Sequence, residues 1–226
     1  MSKIRASVIL LLSVVAAAGF AQATRITSAN QFFAALSDHY STIKSYEATV
    51  SFKQDATTSS GRLSYKAPDK LNLRFDSPAG QVINFDGKKL DVSLPSQKVW
   101  LEQEYKFLPD DQIAGVATGP GLSVLRAQYS VAYLVGPDLV PLDKDSGELV
   151  TKLKLVASAS TSYSDMIVSV KDQLIRRIEA TLTNGSTIVM DFTNMKPNAA
   201  VPDQRFMFVA PGDYEQVKNW LFDPTK

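Results

Sequence analysis

The sequence contains no cysteine and only one histidine, His39, among its 226 residues. Without cysteine the chain forms no disulfide, offers no thiol nucleophile and cannot be lipidated on an N-terminal cysteine as bacterial lipoproteins are. The lone histidine argues against a Ser-His-Asp triad and against a zinc site, both of which depend on this residue type. We interpret His39 as a surface residue near the end of a helix.

Carboxylates are the remaining candidates for catalysis. Asp110-Asp111 lie in a long irregular stretch, and Asp143 and Asp145 lie in a turn, so a pair of glycosidase type stays open. Acidic residues in turns are normally solvated, and the run from Asp143 to Gly147 lacks the rest of a calcium loop. A secreted hydrolase therefore remains a hypothesis that a cluster of desolvated acids in one cleft would favour.

The first 23 residues have the composition of a secretory signal peptide. Lys3 and Arg5 precede a short apolar run, and Ala21-Gln22-Ala23 supplies small residues for cleavage after Ala23. An uncleaved membrane anchor is the alternative, against which the short apolar core argues. We expect a mature chain that starts at Thr24 and, lacking a cysteine to lipidate, is released as a soluble protein.

The predicted mature chain has almost no net charge. Removing the signal peptide leaves 203 residues and takes away Lys3 and Arg5, so 22 basic residues face 23 acidic ones. This balance argues against nucleic acid or an anionic membrane surface as an electrostatic partner. The length suits one large all-β domain or two small domains.

Two helices are predicted. Ser28, with Gln31 three residues later, is typical of a capping box at the start of a helix over 28–44. A second, short helix is predicted over 121–127, within an irregular stretch that begins at residue 106. The first helix carries one apolar stripe at helical spacing, formed by Phe32, Phe33, Leu36, Tyr40 and Ile43.

Most of the remaining sequence alternates apolar and polar residues, which is typical of strands with one buried face. Asp86-Gly87 and Asn184-Gly185 predict hairpin turns, and the Thr/Ser/Gly run before Leu63 predicts another turn. Residues 204–211 predict a last strand, followed by either a short helix or an ordered tail. About ten strands without strand–helix alternation predict a mainly β fold, a strongly curved antiparallel sheet forming an open barrel.

A curved sheet has a concave face, and alternating residues of five predicted strands are candidates to line an apolar cavity there. These candidates are Phe52, Leu63, Tyr65, Leu71, Leu73, Phe75, Ile83, Phe85, Leu90 and Val92. Phe33 and Leu36 of the first helix and Leu122 and Leu125 of the second are candidates for a lid. The alternative is that both helices fill a permanent core. If the cavity binds a ligand, Leu73→Glu is expected to abolish binding while the protein stays folded.

Four stretches occur in a characteristic order and spacing: STIKSYEATVSFKQ (41–54), GRLSYKAPDKLNLRFDSPAGQVINFDGKKLDV (61–92), GPGLSVLR (119–126) and PDQRFMFVAPGDYEQV (202–217). In this order they resemble the periplasmic outer-membrane lipoprotein carrier family, which is LolA-like. The resemblance implies an unclosed antiparallel β-barrel with an N-terminal helix and short lid helices over an apolar cavity, in one domain over 24–226.

The function implied by the resemblance is that of a soluble, monomeric periplasmic carrier with no cofactor, no metal and no catalytic residue. Such a carrier takes acylated lipoproteins from an inner-membrane lipoprotein-releasing transporter, shelters their acyl chains, and delivers them to an outer-membrane receptor. The alternative is a periplasmic module of the same fold that senses lipids or lipoproteins, or that binds glycolipids.

The chain departs from the family pattern at one position. The best-known carriers have an arginine directly before the proline that follows the first hairpin strand, and this arginine ties the lid down inside the cavity. Here Ala67 precedes Pro68. Arg74 is expected to point away from the cavity because side chains alternate along a strand. Arg126 is a candidate to supply the tie instead.

Overall fold

A computed structural model describes residues 27–105, 117–158 and 161–224. The predicted signal peptide over 1–23 and the dipeptide Asp110-Asp111 lie outside these residues. Within the described ranges, no helix combines the length and the apolar character that crossing a membrane requires.

The described chain consists of thirteen strands, two α-helices and one 3₁₀ turn. The helices are α1 (Ala29–Thr42) and α2 (Gly119–Gln128), and the 3₁₀ turn is Asp203–Phe206. Six strands precede α2: β1 (Ser45–Gln54), β2 (Thr57–Lys66), β3 (Lys70–Ser77), β4 (Val82–Phe85), β5 (Lys89–Leu94) and β6 (Val99–Glu104). Seven follow it: β7 (Tyr129–Tyr133), β8 (Val140–Pro141), β9 (Leu149–Ala157), β10 (Tyr163–Lys171), β11 (Leu174–Leu182), β12 (Thr187–Pro197) and β13 (Glu215–Lys218).

The capping box predicted for α1 is confirmed. The Ser28 Oγ accepts a hydrogen bond from the Gln31 backbone N–H at 3.2 Å, and Gln31 Oε1 accepts one from the Ser28 N–H at 3.0 Å. The helix ends at Thr42, two residues before the predicted end, because Ile43 already has the extended backbone that leads into β1. Helix α2 starts two residues earlier than predicted.

The strands form one curved, unclosed sheet in the order β13-β6-β5-β4-β3-β2-β1-β12-β11-β10-β9-β7, with β8 paired to β9. Among the described strands, β13 and β7 lie at opposite ends of this order, so the barrel stays open as the sequence predicts. One pairing departs from the predicted antiparallel pattern, since β13 runs parallel to β6. The hairpin turns predicted at Asp86-Gly87 and Asn184-Gly185 are confirmed.

Two sequence predictions of local structure are wrong. The run predicted as a turn before Leu63 is the first half of β2, and the reversal occurs at Asp55-Ala56 instead. The predicted strand over 204–211 is the 3₁₀ turn followed by irregular chain. There the backbone crosses the convex face instead of pairing, because Phe206 is buried in the fold and its carbonyl accepts a hydrogen bond from Asn84 Nδ2 at 2.9 Å.

Both helices pack on the concave face of the sheet. Their buried residues belong to one hydrophobic core with the inward side chains of the strands. The most deeply buried part of the core lies over β9–β11, where seven core side chains are at most 1 % exposed: Leu153, Leu155, Met166, Val168, Ile175, Ile178 and Ala180. The helices therefore fill this half of the concave face, and the candidate site lies in the other half.

Candidate functional site

Strand register brings all ten predicted cavity residues onto the concave face. Leu63 lies opposite Leu73, Leu73 opposite Ile83, and Ile83 opposite Val92 across four neighbouring strands. Residues directly opposite each other in an antiparallel pair point to the same side, and side chains alternate along each strand. The other predicted residues of β2–β5 stand two positions from these, and Phe52 stands four positions from Ala48, which lies opposite Leu63.

Five of the ten residues are part of the hydrophobic core. They are Leu63, Tyr65, Leu71, Leu73 and Phe85, each at most 9 % exposed. Leu73 itself is 5 % exposed, so a glutamate there would place a charge in the core and unfold the protein. The expectation that Leu73→Glu leaves the fold intact is therefore withdrawn, and a test of binding needs a less buried position.

The other five residues are only half-buried and form what we call the apolar strip: Phe52, Phe75, Ile83, Leu90 and Val92. The Phe52 and Phe75 rings have centroids 5.9 Å apart. Between their strands lies Gly61, which faces Phe75 in the β2–β3 pairing and carries no side chain to separate the rings. The strip is thus a continuous, partly exposed apolar surface on a rigid sheet.

Strand β6 extends the strip by one residue that the sequence analysis missed. Leu101 lies opposite Val92 and is half-buried, so it shares the concave face. In the sequence Leu101 directly follows Trp100, and alternation alone does not decide which of two adjacent apolar residues points inward. The structure separates them, because Trp100 faces the convex side, where its Nε1 donates a hydrogen bond to Asp91 Oδ1 at 2.9 Å.

The four predicted lid residues lie on the inner faces of the two helices. Phe33, Leu36, Leu122 and Leu125 are at most 5 % exposed and belong to the same core cluster. The helices contact each other closely at Gly119, where a Cβ atom would lie 2.9 Å from the Ser41 Cα. They therefore form one packed cover over the filled half of the concave face.

Helix α1 is tied to the sheet at both ends. Near its start, the Tyr133 hydroxyl donates a hydrogen bond to the Thr27 carbonyl at 2.9 Å. Near its end, the Tyr40 hydroxyl accepts one from the Ile175 backbone N–H at 2.8 Å. Burial raises the pKa of Tyr40 well above its usual range, and so the phenol stays neutral at physiological pH.

Replacing Tyr40 by phenylalanine is expected to lower the free energy of unfolding by about 1–3 kcal/mol, because the buried Ile175 N–H loses its acceptor. Urea denaturation followed by circular dichroism measures the change. Tyr133→Phe is the matched control: it also removes a hydroxyl hydrogen bond, but the Thr27 carbonyl it frees is exposed and can bind water. Equal losses of stability in the two variants would contradict a stabilising role of the buried hydrogen bond between Ile175 and Tyr40.

The arginines considered as lid ties do not point into the concave face. Arg74 lies on the convex face, as alternation predicts, and its Nε donates a hydrogen bond to Asn72 Oδ1 at 3.2 Å. Arg126 is exposed on the last turn of α2. Within the described residues, the tie between helix and sheet comes from tyrosine hydroxyls, not from either arginine.

Buried carboxylates occur on the convex face, away from the apolar strip. Asp91 is 1 % and Glu102 is 6 % exposed, and both lie next to Lys89, whose Nζ is 3.5 Å from Asp91 and 3.1 Å from Glu102. Burial raises the pKa of Asp91, while Trp100 and Lys89 oppose the shift. The arrangement is a compensated ion cluster within the sheet. Of the two turn acids considered from the sequence, Asp143 is paired with Arg177 at 2.7 Å and Asp145 is exposed.

The chain matches the family model described as outer membrane lipoprotein carrier protein LolA over residues 41–209. An outer-membrane lipoprotein carrier protein of Pseudomonas putida KT2440 is 26 % identical over 218 residues, covering 94 % of this chain and 95 % of the relative. One of Chromobacterium violaceum is 22 % identical and covers 89 % of this chain and 93 % of the relative. An uncharacterized conserved protein from Thermus thermophilus shares the fold, with a TM-score of 0.53, 12 % identity, and coverage of 83 % of this chain and 98 % of that one.

Proposed function

The chain belongs to the LolA family of outer membrane lipoprotein carrier proteins, and on this premise we propose that it shelters the acyl chains of lipoproteins on its concave face. The observation that carries the proposal is the apolar strip. It is the one part of the described concave face of β1–β5 where the predicted cavity residues stay half-buried instead of entering the core. A globular protein that keeps such a surface partly open on a rigid sheet is suited to an apolar ligand.

The energetics of the task agree with a surface of this kind. Each methylene moved out of water is worth roughly 0.8 kcal/mol, so one palmitoyl chain represents on the order of 12 kcal/mol. A carrier must recover nearly all of this energy to accept the chain from a membrane. The binding energy of the carrier must not exceed this value by much, because the carrier would then not release the chain to the acceptor. Partly exposed leucine, isoleucine, valine and phenylalanine side chains are suited to reversible burial of an apolar chain.

The ties of α1 support different roles for the two helices when an acyl chain enters. Helix α1 is bonded to β7 and β11 through Tyr133 and Tyr40, so its displacement would break the buried hydrogen bond of Tyr40 and the exposed one of Tyr133. We therefore assign α1 to the permanent core and the opening movement to α2, which presents Leu122 and Leu125. The lid role predicted for Phe33 and Leu36 becomes that of a fixed wall.

The remaining features of the proposal come from the family. The carrier works in the periplasm after cleavage behind Ala23, without catalytic activity. It receives lipoproteins from an inner-membrane lipoprotein-releasing transporter and delivers them to an outer-membrane receptor. The names of the Pseudomonas putida and Chromobacterium violaceum relatives support the carrier role itself.

A synthetic triacylated lipopeptide tests the proposal directly. We expect the protein lacking residues 1–23 to hold the lipopeptide in a soluble one-to-one complex on gel filtration, because its acyl chains leave water for the apolar strip. The same peptide without acyl chains is the control and is expected not to bind. Binding of both peptides to the same extent, or of neither, would contradict acyl-chain recognition.

Transfer between vesicles separates a carrier from a sensing module of the same fold. Donor vesicles contain the lipopeptide with a fluorescent label, and acceptor vesicles contain a quencher of that label. A carrier raises the transfer rate in proportion to its concentration. A sensing or glycolipid-binding module binds its ligand without raising that rate, and this result would favour the alternative.

A further inference from the structure

The convex face carries a polar cavity, on the opposite side of the sheet from the apolar strip. Its volume is about 580 Å³, within the range of small-molecule sites. It lies over β1, β2, β3 and the end of β12, beside the 3₁₀ turn at Asp203–Phe206. Four of its lining side chains are cationic, Arg62, Arg74, Lys196 and Arg205, and one is anionic, Glu47.

Two of these cations stand directly opposite each other. Arg62 and Arg74 are paired across β2 and β3, and both side chains face the cavity. Like charges in this position destabilise a sheet. The ion pair of Arg62 with Asp76 at 3.3 Å is exposed on both sides and compensates little. An arginine pair held together in this way is suited to a bound anion.

Buried amides hold the Arg74 guanidinium in place. Its Nε donates a hydrogen bond to Asn72 Oδ1 at 3.2 Å, Asn72 Nδ2 donates to Asn84 Oδ1 at 2.9 Å, and Asn84 Nδ2 donates to the Phe206 carbonyl at 2.9 Å. Asn72 is 2 % and Asn84 is 0 % exposed. The chain of bonds orients the guanidinium through Nε and leaves its two terminal amino groups for a ligand.

We propose that this cavity binds a phosphate group through Arg62 and Arg74, with Lys196 and Arg205 adding positive charge. Phosphate matches the site better than a single carboxylate, because its several oxygens can accept hydrogen bonds from two guanidinium groups at once. The phosphate belongs either to a small soluble molecule or to a phospholipid headgroup. The site is on the opposite side of the sheet from the apolar strip, so it does not depend on the proposed function.

Titration calorimetry at low salt tests the site with inorganic phosphate and with glycerol 3-phosphate. Arg62→Gln/Arg74→Gln is expected to weaken binding by about tenfold or more, because it removes both charge-assisted contacts. Lys144→Gln/Lys154→Gln is the matched control, since it removes two exposed positive charges elsewhere on the protein. Glu47→Gln is expected to tighten binding, because it removes the one negative charge from the lining.

Sedimentation with vesicles of phosphatidylglycerol, compared with vesicles of digalactosyldiacylglycerol, whose headgroup carries no phosphate, identifies the source of the phosphate. Arginine-dependent binding of the soluble phosphates supports a small-molecule ligand, and arginine-dependent binding of the phosphatidylglycerol vesicles alone supports a headgroup. The proposal is overturned if neither binds, if the arginine variant binds within about twofold of the wild type, or if the lysine control loses as much. Lipopeptide binding by the arginine variant, measured in parallel, reports on the concave face separately.

Discussion

Phe75→Glu is expected to weaken acyl-chain binding by about tenfold or more in affinity, while the protein stays folded. Phe75 lies in the middle of the apolar strip, in contact with the Phe52 ring. A bound acyl chain would force the new carboxylate out of water, which costs several kcal/mol. Without ligand this position is only partly buried, so the carboxylate can reach water. Titration with a fluorescent fatty acid and with the triacylated lipopeptide measures the loss.

Val156→Glu is the matched control for this substitution. Val156 is an apolar strand residue that is 46 % exposed, and it lies on β9, far along the sheet from the strip. It introduces the same charge without touching the proposed site, so binding is expected to be retained. Normal binding by the Phe75 variant would show that the acyl chains lie elsewhere. Thermal unfolding of both variants verifies that a loss of binding is not a loss of fold.

Gly61→Ala is expected to lower the free energy of unfolding by about 3 kcal/mol, because the backbones of β2 and β3 approach too closely for any side chain. A Cβ at this position would overlap the Arg74 carbonyl oxygen and lie 2.9 Å from the Phe75 Cα. Both are backbone atoms of the paired strand, so neither can move without disturbing the ladder. The register of the two strands shifts at this point, between Ser60 and Gly61.

Urea denaturation measures the effect of Gly61→Ala, with Gly136→Ala as the control. A Cβ at Gly136 meets no atom within 4 Å, so the control is expected to change stability by less than about 0.5 kcal/mol. Equal stability of the two variants would contradict the close approach of the strands. Because Phe75 belongs to the apolar strip, the Gly61 variant is also expected to weaken acyl-chain binding where it still folds.

The elements that the sequence predicted well are those whose signal is local. The capping box of α1 needs only Ser28 and Gln31, and the hairpin at Asp86-Gly87 needs only two residues and their neighbours. Apolar alternation likewise placed ten residues on one face, because successive side chains along a strand point to opposite faces. These features depend on short stretches of sequence, and so they form largely independently of the rest of the fold.

The errors occurred where pairing depends on a distant strand. The start of β2, from Thr57 to Gly61, is polar on both faces, so alternation gives no signal, yet it pairs because β1 extends beside it. Residues 204–211 alternate like a strand but cross the convex face, where Asn84 binds the Phe206 carbonyl. The parallel pairing of β13 with β6 has no local signal at all.

By itself the sequence determined the mainly β class, the inward parity of ten apolar residues and the family to which the chain belongs. Only the tertiary structure decided which five of those residues enter the core and which five stay half-buried, since burial depends on which distant segments pack against a residue and not on the strand that carries it. It also placed Arg62 opposite Arg74 beside the buried Asn72. Apolar alternation and helix capping depend on residues close together in the sequence. The exposure of a side chain and the placing of two charges side by side depend on segments far apart in the chain.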